Sequence, residues 1–161
     1  MSSIAIAYFS ATGTTARVAH VLSEALRVPL HEICPLTPYT HSDLNWNSQT
    51  SRSSLEMKDP AARPPLSSCP DLSRYDVLFL GFPIWWYEAP RLIQTFLDSG
   101  DFRDKTIIPF ATSGGSGLGQ TVSILQKSVP AAHFLPGKRL PASFSGKDAR
   151  HWAEELHLLD K

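Results

Sequence analysis

Residues 4–15 read Ile-Ala-Ile-Ala-Tyr-Phe-Ser-Ala-Thr-Gly-Thr-Thr, and this stretch decides the fold class. Its first six residues are an almost wholly apolar run, which is typical of a strand covered on both faces in a parallel sheet. Hydroxyl-bearing residues and a glycine follow, and from Val18 to Leu26 apolar residues recur at helical spacing. The stretch therefore predicts a buried strand, a tight turn and a helix, the first unit of an alternating α/β fold.

The rest of the chain continues this alternation of strands and helices. The patterns predict further strands at 30–33, 77–80, 106–111 and 133–135, and helices near 89–100, 120–128 and 146–156. We expect a three-layer α/β sandwich, with helices on both faces of a mostly parallel sheet.

One stretch departs from the alternation. Residues 35–74 contain six of the 13 prolines and many serines. Connections this long are uncommon in a compact domain and are usually functional or mobile. The prediction is one domain over residues 1–161, in which residues 36–74, the insertion segment, form an insertion or a lid.

Composition and charge exclude several classes of protein. Lys and Arg total 15 and Asp and Glu total 15, so the chain lacks the basic excess of a nucleic-acid-binding protein. The two cysteines, Cys34 and Cys69, form no ligand spacing with each other or with histidines, which argues against a metal site. No apolar run approaches the ~20 residues of a membrane span, and the N-terminus does not resemble a signal peptide. We expect a cytoplasmic protein with reduced thiols.

Three loops that follow predicted strands have unusual composition, and ligands of open parallel sheets bind at such carboxyl ends. The first is the hydroxyl loop, residues 10–15, which opens a helix. Its hydroxyls and the free N–H groups of the helix N-terminus predict an anion site held by neutral donors. The P-loop and dinucleotide-binding patterns are both absent. A simple helix cap is the alternative, although capping needs one such residue rather than several. The predicted anion-binding residues are Ser10, Thr12, Gly13, Thr14 and Thr15.

The aromatic loop, residues 83–88, follows the clearest strand. Three consecutive rings cannot all enter one core, so we interpret them as a stacking surface for a flat ligand. A hydrophobic plug over the sheet or a patch for a partner protein is the alternative. The loop contains no glycine, so a positive φ there costs ~1–2 kcal/mol more than it would at glycine. The predicted ligand-binding residues are Pro83, Ile84, Trp85, Trp86 and Tyr87.

The glycine loop, residues 112–117, allows backbone N–H groups to approach a ligand closely. A flexible linker is the alternative. The loop contains no aromatic residue. The predicted ligand-binding residues are Thr112, Ser113, Gly114, Gly115, Ser116 and Gly117.

Taken together, the three loops make the sequence resemble the flavodoxin family, in particular its short flavodoxin-like branch. The carrying motifs are S-A-T-G-T-T from Ser10, G-F-P-I-W-W-Y from Gly81 and T-S-G-G-S-G from Thr112. Further similarity lies in D-L-N-W from Asp43, S-R-S-S-L-E from Ser51 and G-K-R-L from Gly137. The resemblance implies a five-stranded parallel sheet of order 2-1-3-4-5 and non-covalent FMN. The hydroxyl loop would hold the phosphate, the aromatic loop would line one side of the ring system, and the glycine loop would bind its pyrimidine edge.

Two functions remain open on this interpretation. The first is an FMN-binding electron-transfer protein that serves redox partner proteins or a small-molecule acceptor. The second is an FMN-dependent NAD(P)H oxidoreductase acting on a quinone or a similar acceptor. In both cases the flavin carries the chemistry and no side chain is required as a catalytic acid or base. A flavin-free binding domain is disfavoured by the hydroxyl and aromatic loops, and either a monomer or a homodimer is expected.

Overall fold

The computed structural model describes residues 3–112 and 118–158. It contains the predicted alternation of strands and helices, together with a short 3-10 helix at Ser42–Leu44. The strands are β1 (Ile4–Tyr8), β2 (Leu30–Glu32), β3 (Val77–Pro83), β4 (Thr106–Thr112), β5 (His133–Phe134) and β6 (Lys138–Arg139). The helices are α1 (Thr14–Leu26), α2 (Arg52–Lys58), α3 (Arg91–Ser99), α4 (Thr121–Ser128) and α5 (Gly146–Glu155).

The strands form one parallel sheet in the order β2-β1-β3-β4-β5, which confirms the predicted topology. The fifth position is shared by two short strands, because β6 also pairs with β4. The gap between β5 and β6 lies opposite Pro109 of β4. On one side of this gap Ile107 pairs with β5, and on the other Ala111 pairs with β6. Proline has no N–H to donate, so no ladder bond is lost there. Gly137 lies against the Pro109 backbone in this gap. A Cβ atom added to Gly137 would be 2.5 Å from the Pro109 carbonyl oxygen.

The sheet is covered on both faces, as predicted. Helices α1 and α5 pack on one face of the sheet, and α3 and α4 pack on the other. Each face has one cluster of buried apolar side chains, which its two helices cover. Trp152 of α5 is buried, with its ring 5.2 Å from that of Phe79. Helix α5 begins with a capping box, in which the side chains of Ser145 and Asp148 each accept a backbone N–H. Within the described part of the chain, no helix combines the length and apolar character needed to cross a membrane.

The insertion segment leaves and re-enters the fold at neighbouring points. Pro35 and Leu66 form an antiparallel bridge, and the N–H of Leu36 donates to the Pro65 carbonyl at 2.8 Å. The side chain of Arg91, at the start of α3, is almost fully buried and donates to the Met57 carbonyl at 2.8 Å. It also donates to the Asp59 carbonyl, so it satisfies carbonyls at the C-terminal end of α2. Arg91 thereby anchors α2 to the body of the fold.

We expect Arg91→Ala to lower the free energy of unfolding by about 2 kcal/mol, because hydrogen bonds from a charged donor are lost and carbonyls lose their partner. Arg63→Ala is the matched control. Arg63 links the insertion segment to Asp98 of α3 by a 2.7 Å ion pair, but both side chains are partly exposed, so a cost below about 1 kcal/mol is expected. Urea unfolding of the two variants measures the difference. Equal costs would show that Arg91 does not anchor α2.

Candidate functional site

Strands β1, β3 and β4 are adjacent and parallel, so the loops that follow them meet at one edge of the sheet. The hydroxyl loop and the aromatic loop both lie at this edge, as does Thr112 at the end of β4. The other predicted residues of the glycine loop lie outside the described residues. These are Ser113, Gly114, Gly115, Ser116 and Gly117.

The hydroxyl loop ends in an open helix N-terminus. Gly13 is the N-cap of α1 at φ 97°, and it makes no side-chain cap. The first backbone bond of this helix runs from the N–H of Arg17 to the Gly13 carbonyl, 3.0 Å long. The N–H groups of residues 14–16 therefore have no acceptor within the helix. Thr12 and Thr14 are exposed beside them, so neutral donors and the helix dipole are available to an anion.

Two of the predicted hydroxyl groups form hydrogen bonds within the protein. The Ser10 Oγ accepts the Gly13 N–H at 3.0 Å, which shapes the turn before the helix. The Thr15 Oγ1 lies 2.7 Å from the Thr112 Oγ1, and both side chains are buried. This pair joins the start of α1 to the end of β4. Thr15 therefore offers an anion its backbone N–H, while its hydroxyl holds two of the site's elements together.

The aromatic loop turns back on itself within two residues. The N–H of Trp85 donates to the Glu88 carbonyl at 2.8 Å, and the N–H of Glu88 donates to the Trp85 carbonyl at 3.1 Å. Between them, Trp86 and Tyr87 have φ of 49° and 67°, as in a type I′ turn. The loop thus adopts positive φ at two residues that are not glycine, and this costs ~1–2 kcal/mol more at each than it would at glycine. The turn keeps two rings away from the core: Trp86 is 43% exposed and Tyr87 73% exposed.

Trp85 is a fixed wall of the site. Its ring makes edge-to-face contacts with Phe9, at 5.8 Å between centroids, and with Tyr39, at 5.4 Å. Tyr39 belongs to the insertion segment, so this contact attaches the segment to the aromatic loop. Contacts of this kind contribute ~0.5–1.5 kcal/mol beyond burial.

Tyr39 is itself held from α2. Its hydroxyl donates to the Glu56 Oε1 at 2.5 Å, and the Arg52 guanidinium lies 3.8 Å above its ring. Arg52 also forms an i, i+4 ion pair with Glu56, at 3.0 Å. Burial, reinforced by the Glu56 hydrogen bond, raises the pKa of Tyr39 well above its ordinary value. The hydroxyl therefore stays protonated, and the hydrogen bond persists across the ordinary pH range.

The loops enclose a cleft of two connected compartments. The inner compartment, about 410 Å³, reaches the hydroxyl loop and the end of β4. The outer compartment, about 360 Å³, opens beside the insertion segment. Both are within the size range of small-molecule sites. They share Thr12, Pro83, Ile84 and Trp85; the inner one adds Thr14, Thr112, Leu140 and Ala142, and the outer one adds Ala11, Leu44, Trp46, Ser53, Trp86 and Tyr87.

The structure adds lining residues that sequence reasoning did not select. Leu140 and Ala142 follow β6, and Leu44 and Ser53 come from the insertion segment. A partial signal existed, since Leu44, Ser53 and Leu140 lie in quoted motifs of the flavodoxin resemblance. Trp46 of the insertion segment lines the outer compartment, and its side chain is 71% exposed.

The described lining of both compartments contains no charged side chain. An anion at the hydroxyl loop would therefore be bound by N–H and O–H donors and by the dipole of α1. Among residues 3–112 and 118–158, no three His, Cys, Asp or Glu side chains are grouped closely enough to hold a metal ion. The arrangement suits a ligand with an anionic end and a flat aromatic part.

Comparison with known proteins shows the family to which the chain belongs. The profile of the flavodoxin family matches residues 3–156. A candidate flavoprotein from Bacteroides eggerthii is 44% identical, with a TM-score of 0.93 over 99% of this chain and 100% of its own. A second one, from Bacteroides uniformis, is 45% identical, with a TM-score of 0.90 over 95% of this chain and 98% of its own.

A more distant structure, a flavoprotein from Lactobacillus acidophilus in complex with FMN, has a TM-score of 0.71 over 95% of this chain and 99% of its own. At 18% identity it shows a shared fold. No curated protein matches the chain significantly.

Proposed function

The chain belongs to the flavodoxin family, and from this premise we propose that it binds FMN non-covalently and works as an electron-transfer flavoprotein. One observation carries the proposal. An uncapped helix N-terminus at Gly13 lies beside a cleft walled by tryptophans, and these features suit the two ends of a flat phosphorylated ligand. The Lactobacillus flavoprotein that was crystallised with FMN has the same fold, which supports this choice of ligand.

The residues present fit FMN. The N–H groups at the start of α1, with the hydroxyls of Thr12 and Thr14, would hold the phosphate. Trp85 would line one side of the ring system, and the glycine loop would bind its pyrimidine edge. When bound, FMN supplies one- and two-electron chemistry. The protein contributes binding, orientation and a partly apolar surrounding, and the described lining contains no acid or base for proton transfer.

The electron-transfer role is favoured over the enzymatic one, with redox partner proteins or a small-molecule acceptor as the counterpart. The zero net charge argues against a strongly charged docking surface. The rate of electron transfer to a partner protein is therefore expected to depend only weakly on ionic strength. Both cysteines are free thiols, which is compatible with the cytoplasmic location that we propose.

An FMN-dependent NAD(P)H oxidoreductase acting on a quinone or a similar acceptor is the second candidate. One observation favours it: the outer compartment is open beside Trp46, so a small molecule can reach the aromatic loop without a protein partner.

Two measurements on the purified protein test the proposal. We expect a flavin absorption spectrum whose chromophore is released by acid and identified as FMN. A colourless protein that takes up no FMN would reject both functions. The holoprotein is then mixed anaerobically with NADH or NADPH alone. Persistent colour is expected for a carrier, whereas rapid bleaching would replace the carrier role with the oxidoreductase.

A further inference from the structure

A second, smaller cleft lies beside the outer compartment. It encloses about 240 Å³ and is called here the side cleft. Trp46 and Trp86 line both the side cleft and the outer compartment, so the two spaces are neighbours along these indoles. The buried residues Ser54 and Met57 of α2 also line it, and Gln49 and Lys58 complete the lining.

The backbone at Trp86 is an independent sign that this arrangement is functional. A non-glycine residue at positive φ costs ~1–2 kcal/mol, and such strain concentrates at ligand sites. Here two consecutive residues, Trp86 and Tyr87, have a positive φ. As a result, the Trp86 side chain is exposed at the cleft instead of buried in the core. Trp46 is even more exposed, which adds a second indole to the same surface. Two exposed indoles beside one cleft are suited to stacking on a flat ring.

The charge of the side cleft defines the ligand further. Lys58 is its only charged lining residue in the described part of the chain. Its ammonium donates to the Gln49 carbonyl at 3.0 Å, which uses one of three N–H donors, and the side chain is exposed. An anionic substituent on the ligand could therefore pair with Lys58 while its ring contacts the indoles.

From these observations we infer that the side cleft is a second ligand site, which binds a flat aromatic molecule of one or two fused rings with an anionic substituent. The volume suits such a ligand and is smaller than the usual range for drug-sized molecules. The inference extends the proposed function. It rests on that function in one respect, which is that a ligand in the side cleft would be next to the proposed flavin. Binding itself depends on residues outside the proposed phosphate site.

Isothermal titration of the FMN-loaded protein with naphthalene-2-sulfonate tests the inference, with 2-naphthol as the neutral comparison. We expect one sulfonate to bind per chain while the visible spectrum shows FMN retained, and 2-naphthol to bind about 3-fold more weakly. Trp46→Ala should weaken both ligands roughly 10-fold. Lys58→Gln should remove the preference for the sulfonate, whereas Lys127→Gln, at the end of α4, should leave it unchanged.

Several results would overturn the inference. They are no binding of either compound, binding that releases FMN, and binding that neither Trp46→Ala nor Lys58→Gln alters. Release of FMN would show that the side cleft belongs to the flavin's own site. The same titration without FMN separates the two proposals. Sulfonate binding with the expected variant pattern, in a protein that takes up no FMN, would support the second site and reject the proposed function.

Discussion

Gly13→Val is expected to lower the affinity for FMN roughly 100-fold. Gly13 has φ 97°, and apart from its chain neighbours no described residue comes within 4 Å of the position of an added Cβ. The expected effect therefore comes from the backbone conformation and not from overlap at the Cβ atom. A left-handed conformation costs ~1–2 kcal/mol for a residue with a side chain, and a hydrogen bond to the phosphate is worth ~1.5–3 kcal/mol. A valine that relaxes this conformation loses the hydrogen bond to the phosphate, and a loss of about 2.7 kcal/mol corresponds to 100-fold in affinity.

Gly13→Asn is the matched control, because asparagine tolerates the left-handed region better than a β-branched residue does. We expect it to lose roughly 10-fold less affinity than valine. Quenching of FMN fluorescence on titration with each apoprotein measures both constants, and thermal unfolding of the apoproteins shows whether each variant is folded. Wild-type affinity in a folded Gly13→Val protein would mean that the phosphate is not held at α1.

Gly81→Ala is expected to lower the free energy of unfolding by about 3 kcal/mol. Gly81 of β3 lies opposite Phe110 of β4, and an added Cβ would be 2.3 Å from the Phe110 ring. Both residues are in the buried centre of the sheet, so the ring has little room to move. Overpacking of this kind typically costs ~1–3 kcal/mol, and the shortness of this contact places Gly81 at the upper end.

Three further variants test the physical reason. Gly146→Ala adds the same methyl group at the start of α5, where the nearest neighbour is a flexible Arg150 nitrogen at 3.6 Å. We expect it to be neutral or to stabilise by up to about 1 kcal/mol. Combining Gly81→Ala with Phe110→Leu should cost less than the sum of the two single changes. Urea unfolding measures all four proteins, and strict additivity would contradict the proposed contact.

Much of the fold could be predicted because it depends on local patterns. The apolar run at residues 4–9 and the helical spacing from Val18 appear directly in the sequence, as does the capping box at Ser145. Strand β6 could not be found in this way. It has two exposed residues, and its pairing depends on the position of Pro109 in a strand far from it along the chain.

The site also has parts that local sequence patterns predict and parts that they do not. The hydroxyl loop is a contiguous motif, and its helix N-terminus follows from the strand-turn-helix pattern. Ser53 and Leu140 line the cleft because tertiary folding brings their segments to the same edge; their motifs marked the family, but periodicity and composition did not mark these residues as lining. The positive φ at Trp86 does not follow from its residue type, because two backbone hydrogen bonds between Trp85 and Glu88 hold the turn. Tertiary context there outweighs intrinsic preference.

Parallel titration of the apoprotein with FMN and with riboflavin tests the central claim most directly. The two flavins share the ring system and the ribityl chain, and only FMN carries the phosphate assigned to the start of α1. Because several hydrogen bonds of ~1.5–3 kcal/mol each would be lost with the phosphate, we predict one FMN bound per chain and riboflavin at least roughly 100-fold weaker. Equal affinities for the two flavins, or no binding of FMN, would contradict the account.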